Sequence, residues 1–305
     1  MAINKKGVYF TFLTIILITI MAFYLLVSSN LKFLDKAEVT GIRVSTMNNY
    51  IKSIELDLAR GLYISTVRGV LSMDRYVAQN GLFLSDTESS IYELMENGTI
   101  NSQVMPLMTA SKISDWISRV KSKGLENNII TNFSNISYLV YQDDPWAISI
   151  NISLNILIND TQNIASFYIY DTINTKIDIQ RFEDPLYIVK TNGSLINTFN
   201  KTKYEGSYTP VASGLYNHVE SQLYTTNPSA PSFLMRFEGN LSSSPYGIES
   251  FVNKQRLSAQ GILVYQDRSD IDYIYWGQNP VDGEVVAGMQ PWFRIDTSHK
   301  ARYGL

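Results

Sequence analysis

An unbroken run without charge, residues 8–27 (VYFTFLTIILITIMAFYLLV), constrains this chain more than any other feature. As a helix rising ~1.5 Å per residue, the run is long enough to cross the ~30 Å hydrocarbon core of a bilayer. It reads as a transmembrane helix, with the rest of the chain held at one end of it. Lys5 and Lys6 stand immediately before the run, whereas the first charges after it, Lys32, Asp35, Lys36 and Glu38, are mixed in sign. Positive residues collect on the cytoplasmic side of a span, so residues 1–7 are expected inside and everything beyond Ser28 outside. A cleaved secretory signal has an apolar core of about 7–15 residues followed by a small-x-small cleavage site. Ala22 is too deep in the run and Ser28-Ser29-Asn30 does not match that pattern, so the expectation is an anchor. No second run approaches this length, which predicts a single crossing.

Roughly 275 residues remain, enough for one large domain or two smaller ones. They contain no cysteine, which excludes disulfide staples and thiolate metal sites in an exported chain. Stability must come from burial, which a content of 45% hydrophobic residues can supply. A net charge of -3 with 17% charged residues offers no basic patch, so nucleic acid is excluded as a partner. Eight N-x-S/T sequons lie at Asn97, Asn132, Asn135, Asn151, Asn159, Asn192, Asn200 and Asn240. That is about twice the roughly four expected by chance, and all of them follow the span, so they are candidate N-glycosylation sites.

Beyond the span, Val44, Met47, Ile51, Ile54, Leu58 and Leu62 recur at spacings of three and four, with Lys52, Glu55 and Asp57 off the stripe. This predicts that the membrane helix continues outward as a helical stalk over 30–81, ended by Asn80-Gly81. Gly61, Ser65 and Gly69 form a strip of small side chains on it, where another helix can approach closely; the alternative is glycines merely tolerated in a long helix. Two short helices follow in 82–128. One starts at a capping-box-like Ser85-Asp86-Thr87-Glu88 and stops at Asn97-Gly98; the other spans about 110–123 with Gly124 as its stop.

After Asn128 the pattern changes to strands: 137–141, 147–158, 165–170 and 175–181, then 186–189, 233–237, 261–265 and 273–276. The segment 147–156 alternates cleanly, with Ile148, Ile150, Ile152, Leu154 and Ile156 on one face, as in a half-buried antiparallel strand. Residues 206–232 read as loop-rich, with a short helix around 218–223. The expected class is therefore α+β: transmembrane helix, stalk, small helical layer and a mainly antiparallel β domain over 129–305.

Residues that carry chemistry are few. His218 and His299 are the two histidines, neither in a metal-binding spacing, and no nucleophile elbow, P-loop or dinucleotide fingerprint is present. No catalytic residue, metal ligand or cofactor is assigned, although a triad assembled by the fold is invisible to sequence. The acidic clusters Asp143-Asp144 and Asp267, Asp270, Asp272 read as solvated turns; the second also offers oxygens suited to Ca²⁺ but lacks the glycine and terminal glutamate of a calcium loop. Tyr273, Tyr275 and Trp276 are aromatics able to stack on sugars or to fill a core.

Lys5-Lys6-Gly7 followed directly by the apolar run resembles the class III signal of archaeal type IV pilin-like proteins, cleaved after the small residue by a prepilin-type peptidase. The segments Glu183-Asp184-Pro185-Leu186-Tyr187, Ala230-Pro231-Ser232-Phe233-Leu234-Met235-Arg236-Phe237-Glu238-Gly239, Tyr246-Gly247-Ile248-Glu249-Ser250 and Trp292-Phe293-Arg294-Ile295-Asp296 resemble stretches of uncharacterised archaeal surface proteins with such N-termini. The resemblance implies leader cleavage between Gly7 and Val8. It also implies a surface role with the bilayer, copies of the chain or other surface proteins as partners. Phe12, fifth after Gly7, departs from the glutamate many pilins carry there, which bears on filament assembly more than on anchoring. Two expectations follow: a structural or adhesive surface protein that is not an enzyme, or an anchored ectodomain that binds or hydrolyses an extracellular ligand such as a glycan.

Overall fold

The computed structural model of the chain describes residues 5–204 and 214–305. Residues 1–4 of the expected leader, and 205–213 within the expected loop-rich stretch, lie outside the described residues. One helix, α1 (Lys5–Asn80), is 76 residues long and unbroken, about 110 Å at 1.5 Å per residue. Its apolar part, Tyr9–Ser29, touches nothing else in the chain: none of it is buried. Within it the Thr14 and Thr19 hydroxyls donate to the Phe10 and Ile15 carbonyls at 2.7 Å, so these polar groups are satisfied inside the helix. At the far end Gly81 takes φ 64° and donates its N–H to the Val77 carbonyl at 2.8 Å, which closes the helix.

The stripe on α1 becomes core from Met47 onward. Met47, Ile51, Ile54, Leu58 and Leu62 are buried, and Val70, Met73 and Val77 extend the same face; Val44 sits at its exposed edge. Against this face pack α2 (Thr87–Asn97) and α3 (Ile113–Glu126), and a small hairpin, β1 (Thr99–Ile100) and β2 (Gln103–Val104), follows α2. Asp86 caps α2 by accepting the Ser89 N–H at 2.8 Å, and Gly98 ends it in the left-handed conformation. The expected stop at Gly124 is overturned, since α3 continues to Glu126. A Cβ at Gly124 would lie 2.6 Å from the Tyr50 hydroxyl and 2.8 Å from the Ile129 carbonyl, so this glycine permits close packing rather than ending the helix.

The sheet is antiparallel, in the order β3 (Ile129–Asp144), β4 (Ala147–Asp160), β5 (Ser166–Asp178). Its central strand carries Ile148, Ile150, Ile152, Leu154, Ile156 and Ile158 into the core shared with α1 to α3, each at most 1% exposed. The runs 165–170 and 175–181 join into one strand because β5 stays paired with β4 through Asp171–Asn174. β3 reaches back to Ile129 by absorbing irregularities between Ser134 and Ser137 and between Tyr141 and Asp144.

Past Asp178 the expected β-rich layout fails. Residues 186–189 belong to α4 (Pro185–Lys190), and α5 (Gly214–Glu220) takes the place of the helix expected around 218–223. Residues 233–237 form α6 (Phe233–Phe237), α7 (Lys254–Ala259) follows, and 273–276 fall on α8 (Asp272–Tyr275) and its cap. Residues 261–265 carry no strand. Asp184 accepts the Leu186 N–H at 2.9 Å and Pro185 opens α4, a helix start that outweighs the β-like composition behind it. Apolar runs this short do not separate strand from helix by periodicity. Among the described residues, the only regular pairing here is between two-residue strands: β6 (Thr225–Thr226) with β7 (Ile248–Glu249) and β8 (Glu284–Val285) with β9 (Arg294–Ile295). The described chain ends on α9 (Thr297–Tyr303). Mixed helix and antiparallel sheet is therefore the class, but the sheet is confined to the middle of the chain.

Candidate functional site

The longest exposed apolar surface is the first third of α1, one helix apolar and long enough to cross a membrane. The domain begins about 21 Å beyond it, at 1.5 Å per residue from Ser29 to Arg43, where the Arg43 guanidinium pairs with Asp160 and donates to the Asn127 and Asn128 carbonyls. The candidate cleavage position between Gly7 and Val8 lies within the helix. The small-residue strip is occupied from within the chain. A Cβ on Gly61 would stand 2.9 Å from the Trp116 ring of α3, Ser65 is fully buried, and Gly69 faces Leu94 of α2. The helices that approach it are thus the protein's own.

Among the clefts on the described surface, three are well formed. A groove of about 570 Å³ runs between α1 and α3, floored by Tyr50, Ile54, Gly61, Ile64, Trp116 and Val120. A notch of about 280 Å³ at Val39, Ile42 and Arg43 marks the point where α1 leaves the domain. A third, of about 470 Å³, lies between residues 239–242 and the turn after α8, with Lys190, Tyr273, Trp276, Gln278 and Asn279 around it. Neither histidine lines any of them.

Both histidines are interior. His218 faces Thr202 at 3.0 Å, and burial pushes its pKa down to about 3, so it is neutral. His299 is held between two carboxylates, Nδ1 at 2.8 Å from Asp296 and Nε2 at 3.2 Å from Glu249. Burial alone would lower its pKa, but these partners outweigh burial and raise it to about 9. Glu249 in turn accepts from the Tyr303 hydroxyl at 2.7 Å and the Asn227 amide at 2.5 Å. Among the described residues, the hydrogen-bond partners of His299 Nε2 are Glu249, Asn227 and Tyr273, none of them a serine.

In the acidic cluster 267–272 Asp267 is solvated as expected, but Asp270 and Asp272 are fully buried. Asp270 pairs with Lys254 at 2.8 Å, and Asp272 with Arg236 at 2.9 Å. Arg236, itself fully buried, also reaches Asp184 at 2.6 Å and the Ile248 carbonyl at 2.5 Å. Asp184 accepts from Tyr224 at 2.8 Å, and Asp272 accepts the Ser250 hydroxyl at 2.8 Å. Burial pushes Asp272 up to about 6 and Asp270 up to about 7 against the pull of their cations. Asp74 of α1 is buried beside this group, and burial with the charges of Glu183 and Asp184 drives its pKa well up. Among the described residues, no cluster of three or more His, Asp or Glu is placed to hold a metal ion. Asp143 and Asp144 do sit in a surface hairpin, where Lys176 lies 3.4 and 3.3 Å from them.

The four segments that carry the resemblance meet in this interior. They supply Asp184 and Tyr187, Arg236, Glu249 and Ser250, and Asp296. Single charges set among aromatic and apolar residues, as in EDPLY and FLMRFEG, were the available signal for it. The sequon asparagines are on the outside: Asn97, Asn132, Asn135, Asn192, Asn200 and Asn240 are exposed, while Asn151 and Asn159 are half-buried on β4. The Oδ1 of Asn159 accepts the Ser166 hydroxyl at 2.6 Å, and Asn151 Oδ1 accepts the Asn174 side-chain amide at 2.5 Å across the sheet. No family model matches this chain, and neither a curated protein nor a solved structure is similar to it.

Proposed function

We propose that this is a single-pass surface protein in which α1 is both membrane anchor and structural spine, with residues 1–7 cytoplasmic and the domain outside. The observation that carries this reading is the continuity of α1. Its apolar third is bare, yet the same helix supplies the core face from Met47 to Val77. The helix does not break at 28–30, where a cleaved signal would have to end. The Lys5/Lys6 bias supports the orientation, and the exposed sequon asparagines suit a surface reached by a glycosylating enzyme.

The role is structural or adhesive, in the manner of a pilin-like subunit whose bare helix packs against the bilayer and against copies of itself or other surface proteins. In lipid, helices associate by close van der Waals packing, for which an uncharged surface is suited. Interior histidines and clefts built without them support this role over ligand hydrolysis.

N-terminal sequencing of protein purified from native membranes is the test, joined to protease treatment of intact cells. An anchor retains Met1 or Ala2 and loses its domain to external protease, whereas a processed pilin-like subunit begins at Val8. A domain fully protected in cells with a permeable outer layer refutes the topology.

A further inference from the structure

We propose that the cleft between residues 239–242 and the turn after α8 seats the first sugars of a glycan carried on Asn240, one of its own wall residues. None of the other seven sequon asparagines lines any of the three clefts. The Ser242 N–H donates to Asn240 Oδ1 at 3.1 Å, which engages the amide oxygen, and Asn240 itself is exposed and lines the cleft. In the modification Nδ2 loses a proton and bonds to C1 of a lipid-pyrophosphate-linked oligosaccharide. The C1–O bond breaks and the pyrophosphate leaves with its electron pair. The attached sugar then starts inside the cleft.

The walls suit a neutral, hydroxyl-rich ligand. Tyr273, Ile274 and Trp276 offer apolar and aromatic surface, while Ser242, Gln278, Asn279 and Lys190 add hydrogen-bonding groups, and no carboxylate lines the cleft among the described residues. Its volume of about 470 Å³ lies within the range of small-ligand sites, roughly 300–1,000 Å³. The two walls are tied together below the surface. Gly239 and Asn240 close α6 through bonds to the Arg236 and Met235 carbonyls, and Arg236 pairs with Asp272 at the start of α8. Gly239 holds φ 65° with the Phe83 ring where a Cβ would be, so the Asn240 wall is fixed. A shallow cleft of this kind binds free sugar weakly, but a tether supplies an effective concentration in the millimolar range, at which weak contacts suffice.

The inference rests on the extracytoplasmic reading above, and one experiment separates the two. Full-length protein is purified from native membranes in a detergent without a sugar headgroup. Its sequon peptides are weighed, and Tyr273 and Trp276 are footprinted with hydroxyl radicals. The expected result is a modified Asn240, with several-fold more labelling of Tyr273 and Trp276 in Asn240→Gln and unchanged labelling of Trp146. Ser242→Ala, which destroys the sequon but keeps the asparagine, should reproduce the increase. An unmodified Asn240 beside occupied sequons overturns the cleft assignment alone, as does equal labelling with and without the glycan. Eight unmodified sequons overturn it together with the glycoprotein element of the surface reading.

Discussion

Residues 37–178 and 179–305 share one apolar core, yet their chains are ordered in different ways. In the first region, long elements satisfy their own backbone hydrogen bonds and bury apolar stripes: one face of α1, the helices α2 and α3, and the alternating face of β4. In the second, elements are short and side chains do much of that work. Asp184, Asn253 and Asp296 cap α4, α7 and α9, Arg236 and His299 are each held between two carboxylates, and Lys254 is paired with Asp270. The contrast teaches that regular structure lets a core be built from volume alone, whereas an irregular segment needs specific polar partners at fixed places. Apolar packing tolerates approximate substitution, while a buried charge without its partner is severely destabilising.

The comparison can be broken most directly at Arg236. Arg236→Met leaves Asp184 and Asp272 facing each other without a cation and should cost about 3–5 kcal/mol, as breaking a buried pair does. Hydrogen exchange should rise first across 179–305 while β4 amides stay protected; equal loss in both regions would show that they unfold as one unit. Ile152→Ala, at the centre of β4, should cost about 2–5 kcal/mol in urea unfolding, the usual range for an emptied core site. Its effect should centre on the sheet, and exchange confined to 179–305 would contradict the division drawn above. Gly61→Ala drives a methyl into Trp116 and should cost about 1–3 kcal/mol, with a changed Trp116 emission. An unchanged midpoint would mean that α3 yields freely.

The last effect concerns pH. His299 has its folded pKa raised to about 9 from 6.5. Its stabilising contribution is therefore complete below about 6.5 and lost as pH rises through about 9, a change on the order of 3 kcal/mol. His299→Gln should flatten the stability profile between these values, and a wild-type profile already flat there would remove His299 from the account. Asp270 and Asp272 act in the same direction at lower pH. Their folded pKa values are raised, so the stability they favour falls as pH climbs from 3.8 through about 6 and 7.

Much of the first region was legible in the sequence because its signals are periodic. The three-and-four spacing from Met47 to Leu62 and the two-residue alternation from Ile148 to Ile156 each state which face is buried. Gly124 misled because a glycine that ends a helix and one that admits a neighbouring chain look alike in sequence. The second region was misread at 186–189, 233–237 and 273–276 because four or five apolar residues fit either period. Its charges were misread for a different reason. Asp272 and Arg236 are 36 residues apart, and nothing in either segment names the other as partner.

The sequence by itself determined that an uncharged helix long enough to span a bilayer stands at the N-terminus. It also determined that no cysteine chemistry is available and that the sequons follow the apolar run. These are properties of local composition, which no fold can alter. Only the tertiary structure decided that α1 is one helix shared between apolar span and domain core, that Gly61 and Gly69 are filled by the chain's own α3 and α2, and that Asp270 and Asp272 are interior. Each of these depends on which distant segment arrives at a given surface, and that is fixed by the joint packing of all elements rather than by the residues of any one.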